Sequence, residues 1–203
     1  MEAFVQLSGA AAPLPGANID TDVIMPKQFL KGIDRSGLRD GALFGLRFQA
    51  PGKPRPDFVL NRPAWEDTRF LVVGPNFGCG SSREHAVWGL SQLGIRALIG
   101  TSFAGIFNDN CLRNGVLTVT LTPEQIGTLL DAAGDPQRNR LTIDLPAQTI
   151  TFESDSRAIR FDIDGLRKDA LVRGLDAVGS TLEYAENIRR FEQAYFAASP
   201  WLA

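Results

Sequence analysis

The sequence predicts an α/β domain built on a parallel sheet, and three observations predict it. Phe70-Leu71-Val72-Val73 is a continuous apolar run, as a strand covered on both faces requires. Residues 83–93 follow with helical periodicity and stop at Gly94. The alternation then repeats, with a strand over 95–99, a helix capped by Ser102 and closed by Gly115, and a strand over 116–121. That second helix carries Phe103, Ile106, Phe107 and Cys111 at helical spacing. Connections this short leave only right-handed crossovers, so residues 70–121 read as a βαβαβ unit.

Downstream, Thr122-Pro123-Glu124-Gln125 has the form of a capping box with proline at N1, opening a helix to about residue 133. Residues 141–145, 149–152 and 159–163 alternate apolar and polar side chains, as short antiparallel strands do. Asp164 then caps a helix to Arg173 that Gly174 closes, and residues 180–196 read as a final helix within a helical tail at 180–203. Residues 31–69 are rich in Gly, Pro and Arg without clear periodicity. An irregular stretch of this length inside one domain is usually functional or mobile, and this one is expected to be mobile without partner and substrate. The whole chain, 1–203, is expected to form a single domain.

Composition narrows the function. A net charge of −2 gives no basic face of the kind nucleic acid calls for. No window approaches the roughly 20 apolar residues of a membrane span. No basic n-region precedes Gly9-Ala10-Ala11-Ala12, which argues against a signal peptide and leaves the cytoplasm as the expected location. With two cysteines, Cys79 and Cys111, and one histidine, His85, the chain has too few N/S ligands for a structural zinc site or an iron–sulfur cluster. Any cluster its chemistry requires must sit on another polypeptide.

The candidate chemistry lies in Gly74-Pro75-Asn76-Phe77-Gly78-Cys79-Gly80-Ser81-Ser82-Arg83-Glu84-His85, a glycine-rich loop between a strand and a helix. Such a loop aims backbone N–H groups and a helix N-terminus at an anion, so Gly78, Cys79 and Gly80 are read as an anion cradle. Ser81 and Glu84 also fit an S-x-x-E capping box, and on spacing alone the capping and chemical readings of Ser81 are even. Arg83 stands against the helix macrodipole, which calls for an anionic partner, either a substrate carboxylate or Glu84. A Ser81–His85 dyad fails on motif, since the loop is not G-x-S-x-G, and it is neither a P-loop nor a dinucleotide fingerprint. Asp20 and Asp22 form a weak pair for a hard cation, and an Asx-turn leading into a strand is the simpler reading. Arg35, Arg39 and Arg47 can read a carboxylate or be solvated, and spacing does not choose.

Three stretches, residues 18–27, 76–86 and 102–107, together resemble the bacterial 3-isopropylmalate dehydratase small subunits, the detached swivel domain of the aconitase superfamily. The likeness runs from about residue 16 to 182, and Gly80-Ser81-Ser82-Arg83-Glu84-His85 is its most specific string. It implies a three-layer β/β/α swivelling domain with a central, mostly parallel sheet. It further implies a large-subunit partner carrying a [4Fe–4S] cluster, no cofactor bound by this chain, and interconversion of 2- and 3-isopropylmalate through isopropylmaleate in leucine biosynthesis. By the family pattern Ser81 is the catalytic base, while Ser82 and Arg83 bind substrate carboxylate. Arg35 is the candidate for a second carboxylate, and Phe29, Leu30, Ile33 and Leu38 for an isopropyl pocket. Other readings are a related hydro-lyase acting on citraconate or a homoaconitate-type diacid, a non-catalytic assembly module, and a stand-alone serine hydrolase.

Overall fold

The computed structural model describes residues 1–30, 35–81 and 83–202. The chain opens with strand β1 (Gln6–Leu14), the short helices α1 (Thr21–Ile24) and α2 (Phe44–Arg47), and a small hairpin of β2 (Phe48–Ala50) and β3 (Lys53–Pro54). The alternating middle is β4 (Thr68–Val73), α3 (Glu84–Leu93), β5 (Ala97–Gly100), α4 (Gly105–Arg113), β6 (Leu117–Thr120) and α5 (Pro123–Ala133). Strands β7 (Arg140–Asp144), β8 (Thr149–Phe152) and β9 (Ala158–Arg160) follow, then helices α6 (Gly165–Arg173), α7 (Ala177–Leu182) and α8 (Ala185–Ala198).

One seven-stranded sheet in the order β6-β5-β4-β1-β7-β8-β9 organises the domain. Strands β1, β4, β5 and β6 are parallel, and β7 to β9 extend the sheet antiparallel from the other side of β1. The sheet curls until residues just past β9, Asp162 and Ile163, share a cavity of about 200 Å³ with Thr118 and Thr120 of β6. A parallel half, an antiparallel half and helices packed on the parallel half make the α/β swivel architecture that the resemblance implies.

Period-two alternation divides the buried side chains between two cores. Phe70 and Val72 of β4, with Ala97 and Ile99 of β5, join Ile126 and Leu129 of α5 and Leu171 of α6. Leu71, Val73 and Leu98 face the other way, against Val87 and Leu90 of α3 and Phe107 and Cys111 of α4. The capping box at Thr122 forms, and Asp164 caps α6 by accepting from the Leu166 and Arg167 amides. Gly94 and Gly174 end their helices in the left-handed region, where glycine carries no Cβ penalty.

Several elements differ from the sequence expectation. Strand β1, at the centre of the sheet, was not signalled by pattern: Gly9, Ala10, Ala11, Ala12 and Pro13 have poor strand propensity. It holds because the register shifts between Ala10 and Ala11, and both backbone groups of Ala11 find other partners. The Ala11 N–H donates to the Asn139 carbonyl at 2.7 Å, and its carbonyl accepts from the Trp65 indole N–H at 3.1 Å. Helix α4 starts at Gly105 with Ala104 as N-cap rather than at Ser102, because the Ser102 hydroxyl accepts the Asn76 N–H at 2.9 Å. The tail is two helices, and α8 has no buried residue: Ile188, Phe191 and Tyr195 stay exposed, with Phe191 and Tyr195 stacked on each other at 5.5 Å.

Within the irregular region, the described residues carry α2, the β2–β3 hairpin and two 3-10 turns, with Leu38, Leu43 and Trp65 buried as anchors. No helix among the described residues is long and apolar enough to cross a membrane.

Candidate active site

The loop after β4 is held from both sides as if it were a strand. On one side the Asn18 N–H donates to the Pro75 carbonyl, the Gly78 N–H to Ile19 and the Thr21 N–H to Cys79, at 2.8–2.9 Å. On the other, the Phe77 N–H donates to Ser102 at 3.3 Å and the Ala104 N–H to Phe77 at 3.1 Å. Asn18 and Asn76, both in the left-handed region, cross-link through their side-chain amides at 2.8 Å. Gly78 and Gly80 turn the chain with φ of 76° and 88°, values that non-glycine residues rarely adopt.

The capping reading of Ser81 does not hold in this fold. Arg83, not Ser81, is the N-cap of α3, and it makes no side-chain capping bond. Glu84 does not reach back to the loop; its carboxylate accepts from the Asn114 amide at 2.8 Å. Ser81 is instead fixed through its backbone, its carbonyl accepting the Thr21 hydroxyl at 2.7 Å. Its side chain is exposed, and among the described residues its hydroxyl has no hydrogen-bond partner.

Ser81 lines a cleft of about 140 Å³ with Gly78, Gly80, Arg83 and the first turn of α4, Gly105 to Phe107. Helix α4 has no side-chain cap, so its first N–H groups, which lack intrahelical partners, border this cleft. Ser81, Arg83 and the start of α4 therefore border one cleft, and a helix N-terminus beside a cationic side chain suits an anion.

Arg83 already has a carboxylate beside it, and it is neither of the sequence candidates. Asp22, at the start of α1, forms an ion pair with the Arg83 guanidinium. The Arg83 side chain is only 12% exposed, so this partner offsets both desolvation and the adverse macrodipole. The Arg83 hydrogen bond holds the Asp22 carboxyl below the usual aspartate range. Asp22 was legible only as half of a weak cation pair. Its role comes from a contact spanning 61 residues, which no local pattern reports. Asp20, its supposed co-ligand, accepts the Val23 N–H and caps α1, so the turn leads into a short helix rather than a strand.

The other predicted residues are placed apart. Arg35 does not join Ser81: its guanidinium lies 4.7 Å above the Trp88 ring, and it lines a separate cavity of about 380 Å³ with Glu84 and Arg113. His85 packs its ring on Trp88 at 4.6 Å, and no Ser81–His85 bond forms among the described residues. Arg47 is neither solvated nor free for a ligand, because it is buried and donates to the Arg39 and Ala42 carbonyls. Leu38 is 3% exposed in the core, which removes it from an isopropyl pocket; Phe29 and Leu30 are half-buried. Ser82 and Ile33 lie outside the described residues.

The thiols do not assemble a metal centre. Cys79 is half-buried, Cys111 is fully buried with its thiol pushed well up by desolvation, and among the described residues no three His, Cys, Asp or Glu side chains form a cation site. The residues present do not fit an iron–sulfur cluster.

Comparison with known proteins agrees with this architecture. The Aconitase C-terminal domain family matches residues 1–124, and the LeuD_N family matches residues 128–165. The chain is 57% identical over 202 residues to the 3-isopropylmalate dehydratase small subunit 1 of Mannheimia succiniciproducens, covering 100% of this chain and 99% of that protein. It is 54% identical to small subunit 2 of Salmonella typhimurium, covering 100% and 96%. The crystal structure of 3-isopropylmalate dehydratase from Methanocaldococcus jannaschii superposes with a TM-score of 0.66 at 27% identity, covering 93% of this chain and 99% of that one. With full-length relatives at this identity and the same fold, the chain belongs to the 3-isopropylmalate dehydratase small-subunit family, built on the aconitase C-terminal domain.

Proposed function

We propose that this chain is the proton-transfer and carboxylate-binding half of a hydro-lyase that interconverts 2- and 3-isopropylmalate through isopropylmaleate, in leucine biosynthesis and in the cytoplasm. The observation that carries this reading is the Ser81 hydroxyl, without a hydrogen-bond partner among the described residues, in a cleft that it lines with Arg83 and the start of α4, which has no side-chain cap. Dehydration of a 2-hydroxy diacid needs a base for the proton next to a carboxylate. A serine hydroxyl is a poor base until its alkoxide is stabilised, and backbone N–H groups aimed at the oxygen supply that stabilisation. Arg83, with Ser82 beside it, binds the adjacent carboxylate and disperses the charge that builds as the proton leaves. Arg35 serves the second carboxylate.

Because two cysteines and one histidine are too few to ligate a [4Fe–4S] cluster, the cluster is assigned to a large-subunit partner. The steps given to this chain are proton transfer and substrate binding alone. The test is reconstitution with the cluster-bearing subunit and an assay for isopropylmaleate by ultraviolet absorbance. Ser81→Ala should lower turnover by at least ~100-fold while the subunits still co-purify. Near-normal turnover would remove Ser81 as the base.

A further inference from the structure

Arg35 stands in an irregular stretch, and one side chain of α3 holds that stretch in place. The Gln92 carbonyl oxygen Oε1 accepts the Leu38 N–H at 2.8 Å and the Arg39 N–H at 3.0 Å. Its Nε2 donates to the Arg35 carbonyl, and the Gln92 main-chain carbonyl accepts the Arg39 guanidinium at 3.3 Å. Backbone groups outside helices and strands must find partners, and here a single glutamine in the last turn of α3 supplies three. Beyond it, the Arg47 guanidinium closes the same segment by donating to the Arg39 and Ala42 carbonyls at 2.8 and 3.0 Å.

Trp88 lies one turn nearer the start of α3. Its indole N–H donates to the Asn114 amide oxygen at 2.9 Å, which fixes the ring on which the Arg35 guanidinium rests. At 1.5 Å of rise per residue, Gln92 to Trp88 and Trp88 to Glu84 are each about 6 Å along the axis. Arg35 is therefore anchored at the far end of α3 and reaches back along it, towards the end that carries Arg83 and Ser81. The cavity it lines is bordered by Glu84, the first residue of that helix.

We infer that Gln92 is a positioning residue for substrate binding: it sets the reach of Arg35 along α3, and Trp88 holds the guanidinium until a carboxylate replaces the indole. This rests on Arg35 serving the second carboxylate. A cation over an aromatic face is weakly held at a partly exposed site, whereas an arginine–carboxylate fork is stronger. The exchange therefore runs towards substrate. Because the backbone anchor and the helix start belong to one rigid element, releasing the anchor lowers the fraction of molecules with Arg35 in range and leaves the chemical groups untouched.

The experiment uses the chain paired with its large subunit, with 3-isopropylmalate as substrate. Gln92→Ala should raise KM about tenfold with kcat changed by less than about twofold, as when the competent fraction falls to about a tenth. Gln92→Glu keeps the two acceptor contacts and should raise KM only about threefold, which keeps the test available if the alanine variant assembles poorly. In an Arg35→Ala background, Gln92→Ala should add nothing, because its effect passes through Arg35. A multiplicative effect there, or an unchanged KM for Gln92→Ala where Arg35→Ala raises it, overturns the positioning role. An unchanged KM for Arg35→Ala itself is a separate failure: it removes Arg35 from substrate binding and the inference with it.

Discussion

Replacing Gly78 by alanine tests the bracing of the loop most directly. The residue has φ of 76°, and a Cβ there would lie 2.2 Å from Cγ of the Phe107 ring. That ring is 3% exposed and meets Phe77 edge-on at 5.6 Å, so it has nowhere to retreat. Left-handed backbone costs a non-glycine residue about 1–2 kcal/mol. Forcing a methyl into a packed aromatic contact adds about 1–3 kcal/mol. The total of about 2–5 kcal/mol is a large share of the ~5–15 kcal/mol that stabilises a typical domain. Gly80→Ala is the internal control. Its φ is 88°, but the nearest atom to a new Cβ is 3.5 Å away, so only the backbone term of about 1–2 kcal/mol applies. Urea unfolding of the isolated chain should show both midpoints falling at constant m, with Gly78→Ala less stable than Gly80→Ala by about 1–3 kcal/mol. At about 2–4 °C per kcal/mol for a chain of this size, the thermal midpoint should drop by roughly 4–20 °C for Gly78→Ala. Equal shifts for the two variants would refute the Phe107 contact as the constraint on this turn.

Other expectations follow from single contacts. Trp65→Phe should cost about 1–3 kcal/mol by urea titration, because it strands the Ala11 and Ala133 carbonyls that the indole N–H satisfies at 3.1 and 2.9 Å; a loss below about 0.5 kcal/mol would mean water replaces it. Asp22, Asp135 and Asp155 are held below their ordinary value of 3.8, by Arg83, by Arg138 and by the Arg157 N–H respectively. Their ionised forms favour the fold, so their contribution is present above that value and lost as pH falls through the lowered ones. Urea midpoints should therefore decline below about pH 4, less steeply in Asp22→Asn and in high salt; no change in slope for Asp22→Asn would show that the Arg83 pair is not retained in solution. Brief alkylation of the folded chain should modify half-buried Cys79 and spare Cys111, whose thiol is buried and pushed up. Equal labelling on peptide mapping would mean that α4 does not pack as described.

The local signals in the sequence were sufficient for most elements. The apolar run at Phe70 to Val73, the glycine stops after α3 and α6, and the Thr122 capping box act within a few residues, so pattern reports them directly. Strand β1 escaped because its stability lies in its neighbours: β4 and β7 on either side, and the Trp65 and Asn139 groups that satisfy Ala11. The start of α4 shifted for a similar reason, since the Ser102 hydroxyl serves Asn76, a residue 26 positions away.

The sequence alone determined the α/β class, the loop that carries Ser81, and the exclusion of a cluster on this chain, because these depend on spacing and on counts of ligand types. Tertiary structure decided what the loop residues touch. On spacing the capping and chemical readings of Ser81 were even; in the fold, β-like bonds to residues 18–21 and 102–104 hold the loop, Arg83 is the N-cap, and the Ser81 hydroxyl has no partner among the described residues. Arg83 called for an anion, and chain threading supplied Asp22 from 61 residues away. Spacing did not separate Arg35 from Arg39 and Arg47, and only the resemblance singled it out; Gln92 and Trp88 fix its direction in the fold. Caps and periodicity are short-range preferences of the backbone, whereas a hydroxyl's freedom or a guanidinium's partner depends on which distant segments the curled sheet brings together.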